Sequence, residues 1–287
     1  MGINKRTITM RKTYGDYDYE TEYKKQITNL EEFEYRRMLG ERKVPYLYTT
    51  KTITSGKMVE VEIYPVFHKK KDMPAKKVKK TRKAQQNLND KNARKTLTRK
   101  INANFGEGDF WCTFNLSENP DSYEEVYKIM KNYIRRLNYR RKKEGLPNVK
   151  CIYVVEIGKG GRAHVHAVMD GMLDRDTVED LWKHGKRNHV RRLEPDDFSL
   201  TGLATYISKD PQGRKRWSST KNLKEPKITK SVTKFKRGRI LKMARNQNLI
   251  EQELKKEYPK LKYLDAEVRT NDINSMFYVY ARMVRQE

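Results

Sequence analysis

The stretch Cys151 to Met169, CIYVVEIGKGGRAHVHAVM, constrains the fold more than any other part of the chain. Two apolar runs flank a glycine-rich turn, the pattern of a β-hairpin. Side chains alternate between the two faces of a strand. Ile152, Val154 and Glu156 therefore share one face of the first strand, and His164, His166 and Val168 share one face of the second. Ala163, Val165 and Ala167 point the other way. A carboxylate and two imidazoles on a strand face are costly unless something satisfies them, and a divalent metal would do so. Register decides whether the three groups meet. Glu156 lies opposite His164 only if the connecting loop has an odd number of residues, a condition met by Gly158 to Arg162. A loop one residue shorter would turn Glu156 to the other face. The odd loop is expected, with Glu156, His164 and His166 as metal ligands. The competing reading is two surface histidines and a solvated glutamate.

The charge balance narrows the partner. With 64 Lys+Arg against 37 Asp+Glu, the formal charge is +27, more than solubility needs, and it points to a polyphosphate. A basic membrane-surface protein is the rival, but it would need a basic amphipathic helix with large apolar anchors, which the basic stretches lack. No apolar run approaches the ~20 residues of a membrane span, and the N-terminus has no signal-peptide pattern. Cys112 and Cys151 each sit in a predicted strand without metal-ligand spacing, as expected of free core thiols in a reducing cytoplasm.

Upstream of the hairpin, Leu30 to Leu39 fits a short helix, and Tyr46 to Thr54 with Lys57 to Phe67 fits a hairpin around Ser55-Gly56. Val59, Val61 and Ile63 alternate with Glu60, Glu62 and Tyr64, so this strand has an apolar face whose partner the sequence does not identify. His68 to Lys83 carries nine Lys or Arg in sixteen residues and reads as an arm that contacts phosphates without regard to sequence. A helix is expected from Arg82 to about Asn104, with Leu97, Ile101 and Phe105 on one stripe. Phe110 to Leu116 is a predicted strand. The helix after it is capped by Ser122 and Glu125, carries the stripe Val126, Met130, Tyr133, Ile134 and Leu137, and ends at Gly145 and Pro147.

Beyond the hairpin, Asp176 with Glu179 reads as the cap of a short helix through Trp182, and His189 to Leu193 as a strand. His184 and His189 fit no metal spacing. Ser199 to Asp210 is expected to be a helix burying Leu200, Leu203, Ala204 and Ile207. Tyr206 lies about 100° from the centre of that stripe, with Lys209 on the same flank. The loop with Arg214, Lys215, Arg216, Trp217 and Lys221 mixes cations, hydroxyls and an indole, which suits a single strand of nucleic acid. Arg239 to Glu257 is read as one helix. Leu261 to Arg269 and Met276 to Val284 are read as a closing hairpin, favoured over a helix by dense aromatic and β-branched residues.

An apolar strand, a carboxylate strand followed by His-Val-His, and a helix with Tyr206 and Lys209 together resemble the HUH endonucleases. The run Gly-Lys-Gly-Gly-Arg-Ala-His-Val-His, then Thr-Tyr-Ile-Ser-Lys-Asp, then Lys-Arg-Trp-Ser-Ser, is similar to the rolling-circle replication initiators of plasmids, phages and related mobile elements. The resemblance spans roughly Phe105 to Leu223. It implies an α+β fold with a central antiparallel sheet of about five strands flanked by helices. It also implies nicking and rejoining of single-stranded DNA at a replication origin, through a 5′-phosphotyrosine on Tyr206 that leaves a 3′-hydroxyl primer. Tyr206 and Lys209 would be catalytic, with Mn²⁺ or Mg²⁺ on Glu156, His164 and His166. Arg162, Arg214, Lys215, Arg216, Trp217 and Lys221 would contact DNA. Host helicase and polymerase are the expected partners, in a bacterial cytoplasm. Some relatives carry a second tyrosine four residues on; here that position is Asp210, so termination would need a second subunit, water or another tyrosine.

The implied divisions are an N-terminal extension with a hairpin (1–68), a basic arm and helix (69–105), the nuclease core (106–225) and a C-terminal helix and hairpin (226–287). A relaxase or transposase of the same superfamily is a close alternative. A basic nucleic-acid-binding module, with idle histidines or a structural zinc, is the distant one. Gly158-Lys159-Gly160-Gly161 lacks the lysine–hydroxyl end of a phosphate-binding loop.

Overall fold

A computed structural model describes residues 25–26, 31, 46–67, 82–118, 120, 122–157, 162–186, 188–208, 216–271 and 276–286. Nearly all of the expected Leu30–Leu39 helix, the basic arm up to residue 81, the glycine turn 158–161, and Lys209, Arg214 and Lys215 lie outside them. In chain order the strands are β1 (Lys25–Gln26), β2 (Tyr46–Ser55), β3 (Met58–Phe67), β4 (Phe110–Asn115), β5 (Cys151–Ile157), β6 (Ala163–Met169), β7 (His189–Arg192), β8 (Ser218–Ser219), β9 (Lys227–Ser231), β10 (Leu261–Thr270) and β11 (Phe277–Arg285). The helices are α1 (Arg82–Asn104), α2 (Tyr123–Lys143), α3 (Arg175–Asp180), α4 (Thr201–Ile207), α5 (Arg237–Arg245) and α6 (Ile250–Glu257).

The strands form two antiparallel sheets in an α+β fold. One has five strands in the order β7-β4-β6-β5-β8, and the other six in the order β1-β10-β11-β3-β2-β9. The five-stranded sheet is the central sheet expected from the sequence, with helices on both faces. On one face Cys112, Phe114, Cys151, Val165 and Ala167 pack against Val126, Met130, Tyr133 and Leu137 of α2. On the other, Trp111, Ile152 and Val168 pack against Leu97 and Ile101 of α1 and Leu200, Ala204 and Ile207 around α4.

The six-stranded sheet supplies the missing partner for Val59, Val61 and Ile63. Strand β3 pairs with β11 from the far end of the chain, placing Met283, Ala281 and Val279 beside them. Together these residues bury Ile240, Met243, Ile250 and Leu254 of α5 and α6. The opposite face is polar and meets α1. Arg99 grips Glu60 through two hydrogen bonds, at 2.9 and 2.6 Å, and reaches Glu62 at 3.2 Å. Thus α1 gives its apolar stripe to one sheet and its guanidinium to the other. Gly56, at φ +62°, lets the β2–β3 turn approach α1 closely, since a Cβ there would meet the Asn102 carbonyl oxygen at 2.1 Å.

Three boundaries differ from expectation. The cap of α3 is Asp174, whose carboxylate accepts from the Thr177 N–H at 2.8 Å, rather than Asp176. The Arg239–Glu257 segment is two helices separated at Asn246, which is extended and accepts from the Asn248 N–H to begin a 3₁₀ turn. Helix α4 starts at Thr201, because Ser199 has φ +57° and is not helical; it runs to Ile207, with Ser208 as its C-cap.

The helix α2 stripe is as expected, with Ser122 accepting from the Glu125 N–H, but it also buries Arg141, whose side chain is 2% exposed. Arg141 pairs with Asp170 at the end of β6, and Asp170 also accepts from the Lys150 N–H before β5. Removing one member of a buried pair strands the other charge. Asp170→Ala is expected to lower unfolding free energy by about 3–5 kcal/mol in urea titrations. The double variant Arg141→Met/Asp170→Ala is expected to recover most of that loss.

Candidate metal and nucleophile site

The β5–β6 register pairs Glu156 with His164 and Ile157 with Ala163, leaving five residues in the turn. Paired residues share a face, so the carboxylate and both imidazoles project from one side of the sheet. One ligand atom from each of Glu156, His164 and His166 lies within 4.8 Å of the others. Glu156 Oε2 is 3.1 Å from His166 Nε2. The donor set of one carboxylate oxygen and two imidazole nitrogens on rigid strands fits a divalent ion, and three protein ligands leave positions for substrate.

Strand β4 completes the site from the other side of β6. Thr113 is paired with His166 and Trp111 with Val168. Thr113 Oγ1 lies 3.2 Å from His166 Nδ1. A hydroxyl can donate or accept. It can donate a hydrogen bond to Nδ1 while Nε2–H faces the Glu156 carboxylate, or accept one from Nδ1–H and leave the Nε2 lone pair free for a metal. The Trp111 indole stacks on the His166 ring with centroids 5.3 Å apart and planes within 5°. His166 is thereby held by a hydroxyl, a carboxylate and an aromatic face, and is 9% exposed.

Helix α4 lies over this face. The Tyr206 ring centroid is 6.3 Å from that of His166 and 6.3 Å from Trp111, edge-on to both. The residue is 54% exposed. The N-cap position, Leu200, makes no side-chain cap hydrogen bond. Asn102 of α1 compensates: its Oδ1 accepts from the Leu200 N–H at 3.0 Å, and its amide donates to Thr201 Oγ1 at 3.2 Å. Asn102 therefore fixes the start of the helix that carries Tyr206.

The remaining expected residues scatter. Arg162 and Lys221 are exposed. Arg216 pairs with Asp90 of α1. Trp217 is half-buried against the α1–α4 core, with the Lys100 ammonium 5.5 Å from its ring centre. His184 stands edge-on to Trp182, away from the triad, and His189 lies on the edge strand β7. Both cysteines belong to the core on the opposite face. Burial raises the Cys112 thiol well above its ordinary range, and burial with the Asp170 charge pushes Cys151 to about 12. A zinc site using either thiol with the triad is excluded by the thickness of the sheet.

Trp111, Thr113 and Asn102 were not identified from the sequence. The first two alternate with Cys112 and Phe114 and could have been assigned to a face, but not to the side of His166 without knowing that β4 borders β6.

Residues 109–211 match the family described as Replication-associated protein ORF2/G2P. That segment holds the triad, Trp111, Thr113 and Tyr206, and the match supports a replication initiator acting on DNA. No curated protein and no solved structure matches the chain. No helix among the described residues is long and apolar enough to cross a membrane.

Thr113→Val keeps the shape and removes the hydroxyl beside Nδ1. It is expected to weaken Mn²⁺ binding about 10–100-fold, read as free Mn²⁺ by electron paramagnetic resonance, with little change in melting temperature. Unchanged affinity would show that Thr113 does not orient His166 as a ligand.

Proposed function

We propose that this chain initiates rolling-circle replication by nicking single-stranded DNA at an origin, with Tyr206 as nucleophile in a site of the HUH type. The observation that carries the proposal is the convergence of three metal-ligand side chains on one strand face with an exposed tyrosine whose ring is 6.3 Å from His166. The family match over the same residues favours replication over the relaxase and transposase alternatives.

The chemistry follows from the weakness of a phenol as a nucleophile. A free tyrosine has a pKa near ~10, so about one in a thousand is ionised at pH 7. Glu156, His164 and His166 would hold a divalent ion, which when bound supplies Lewis-acid stabilisation of charge on the phosphate's nonbridging oxygens. Trp111 and Thr113 keep His166 in place, and Asn102 holds the helix that presents Tyr206. Lys209 would favour the phenolate or neutralise the phosphate. The phenol loses its proton to solvent, its oxygen bonds to phosphorus, and the 3′-oxygen departs with its electron pair and takes a proton from solvent. The products are a 5′-phosphotyrosine and a free 3′-hydroxyl. One phosphodiester replaces another, so the reverse attack can rejoin the strand. With Asp210 four residues on, a second nucleophile for termination would come from another subunit, from water or from elsewhere in the chain.

The test is incubation with a single-stranded oligonucleotide carrying the origin and Mn²⁺, followed by denaturing electrophoresis. A covalent adduct is expected from the wild type and none from Tyr206→Phe. His164→Ala and His166→Ala are each expected to cut adduct formation by about 10²–10³-fold, the scale of losing preorganised charge stabilisation, while salt-sensitive DNA binding persists. An adduct with Tyr206→Phe would reassign the nucleophile, and no adduct from wild type at any metal would sink the nickase.

A further inference from the structure

We infer that the cleft between α1 and the six-stranded sheet is a second binding site for the DNA strand, a groove that leads single-stranded DNA to the helix carrying Tyr206. The inference rests on the nicking function proposed above. The cleft has a volume of about 430 Å³. A space of this order accepts a group the size of a nucleotide rather than a duplex.

Its composition points to this ligand. One wall is a single row of α1, in which Asn87, Lys91, Arg94, Thr98 and Asn102 recur every three or four residues. At 1.5 Å per residue the row runs about 22 Å along the helix. This is not the apolar stripe of α1, which Leu97, Ile101 and Phe105 turn toward the five-stranded sheet. The cleft is also bounded by Lys95, Glu60, Tyr280 and Arg282.

The carboxylates of the lining are already neutralised. Glu60 accepts from Arg99 and from the Tyr280 hydroxyl at 3.1 Å, and Asp90 pairs with Arg216. Arg282 is engaged by Asp265, and the Lys95 ammonium lies 5.6 Å from the centre of the Tyr280 ring. Arg94 is exposed and has no carboxylate partner among the described residues. Its charge, with those of Lys91 and Lys95, is placed for phosphates. The amides and hydroxyls of Asn87, Thr98 and Thr205 can bond base edges.

The position matters as much as the chemistry. The far wall is formed by Thr201 and Thr205 of α4, and Thr205 immediately precedes Tyr206. A strand lying along α1 thus arrives at the nucleophile's helix, and it touches Asn102, which fixes that helix. The cleft exists only because the six-stranded sheet closes over α1, so this sheet has a function beyond bracing.

The test measures binding without metal and without the nucleophile, so its outcome is independent of nicking. Fluorescence anisotropy with labelled oligo(dT) 20-mer in EDTA is compared for the Tyr206→Phe chain, the same chain with Lys91→Glu/Arg94→Glu, and the same chain with Lys128→Glu/Lys131→Glu. The last pair makes the same charge change on the outer face of α2, across the five-stranded sheet. The cleft variant is expected to raise Kd at least ~10-fold and to shallow the salt dependence by about 0.7 for each phosphate no longer bound. The α2 variant is expected to change Kd less than ~3-fold. Photo-crosslinking of the otherwise unsubstituted Tyr206→Phe chain to oligo(dT) containing 4-thiothymidine should label peptides within residues 87–98. Equal weakening by both charge reversals, or no weakening by the cleft pair, overturns the inference, as does crosslinking confined to other peptides. An intact cleft result with no covalent adduct would instead count against the nickase alone.

Discussion

Strand parity in β4, β5 and β6 is the constraint on which the site depends. Alternation sends Cys112, Phe114, Cys151, Val165 and Ala167 to one face, where they form a dry core with α2. The same alternation sends Trp111, Thr113, Glu156, His164 and His166 to the other. A slip of one residue in any pairing would exchange these sets, burying a carboxylate and imidazoles under α2 and exposing the aliphatic core. The cost of that exchange makes the register strongly specified. The site is therefore held in place by the core behind it as well as by its own hydrogen bonds.

The second organising element is α1. A helix with one apolar stripe would ordinarily leave its other faces to water. Here Leu97 and Ile101 bury against the five-stranded sheet, while Arg99 enters the polar face of the six-stranded sheet and meets Glu60 and Glu62. A guanidinium satisfied by two carboxylates at fixed spacing discriminates among helix positions more sharply than apolar contact does. Asn102, three residues further on, then fixes the start of α4. Positioning of Tyr206 is thus linked through one helix to a sheet that contributes no ligand.

Much of the site was legible in residues 151–169, because a period of two is a strict rule and a short turn leaves few registers. Tyr206 could be placed on a helix flank because Leu200, Ala204 and Ile207 mark the buried side. The start of that helix was less legible: Ser199 breaks it through a positive φ that residue type alone does not announce. Trp217 shows how a neighbouring helix adds to a local reading. An indole among cations reads as a platform for bases, and that helix also offers Lys100 and an apolar wall, where the ring packs. The split at Asn246 has a local origin, since a side-chain bond to the Asn248 N–H competes with continuing the helix.

By itself, the amino-acid sequence determined the local periods, the two faces of the histidine hairpin, the caps of α2 and a charge suited to a polyphosphate. These depend on neighbours within a few residues or on sums over the chain. Only the tertiary structure decided that β4 borders β6, which brings Thr113 and Trp111 to His166, and that β3 pairs with β11 from the other end of the chain. It alone decided that α1 lies between two sheets and opens a polar cleft beside α4. Such choices join segments far apart in sequence, and are set by which apolar and charged surfaces can be satisfied together, a condition that no single segment carries.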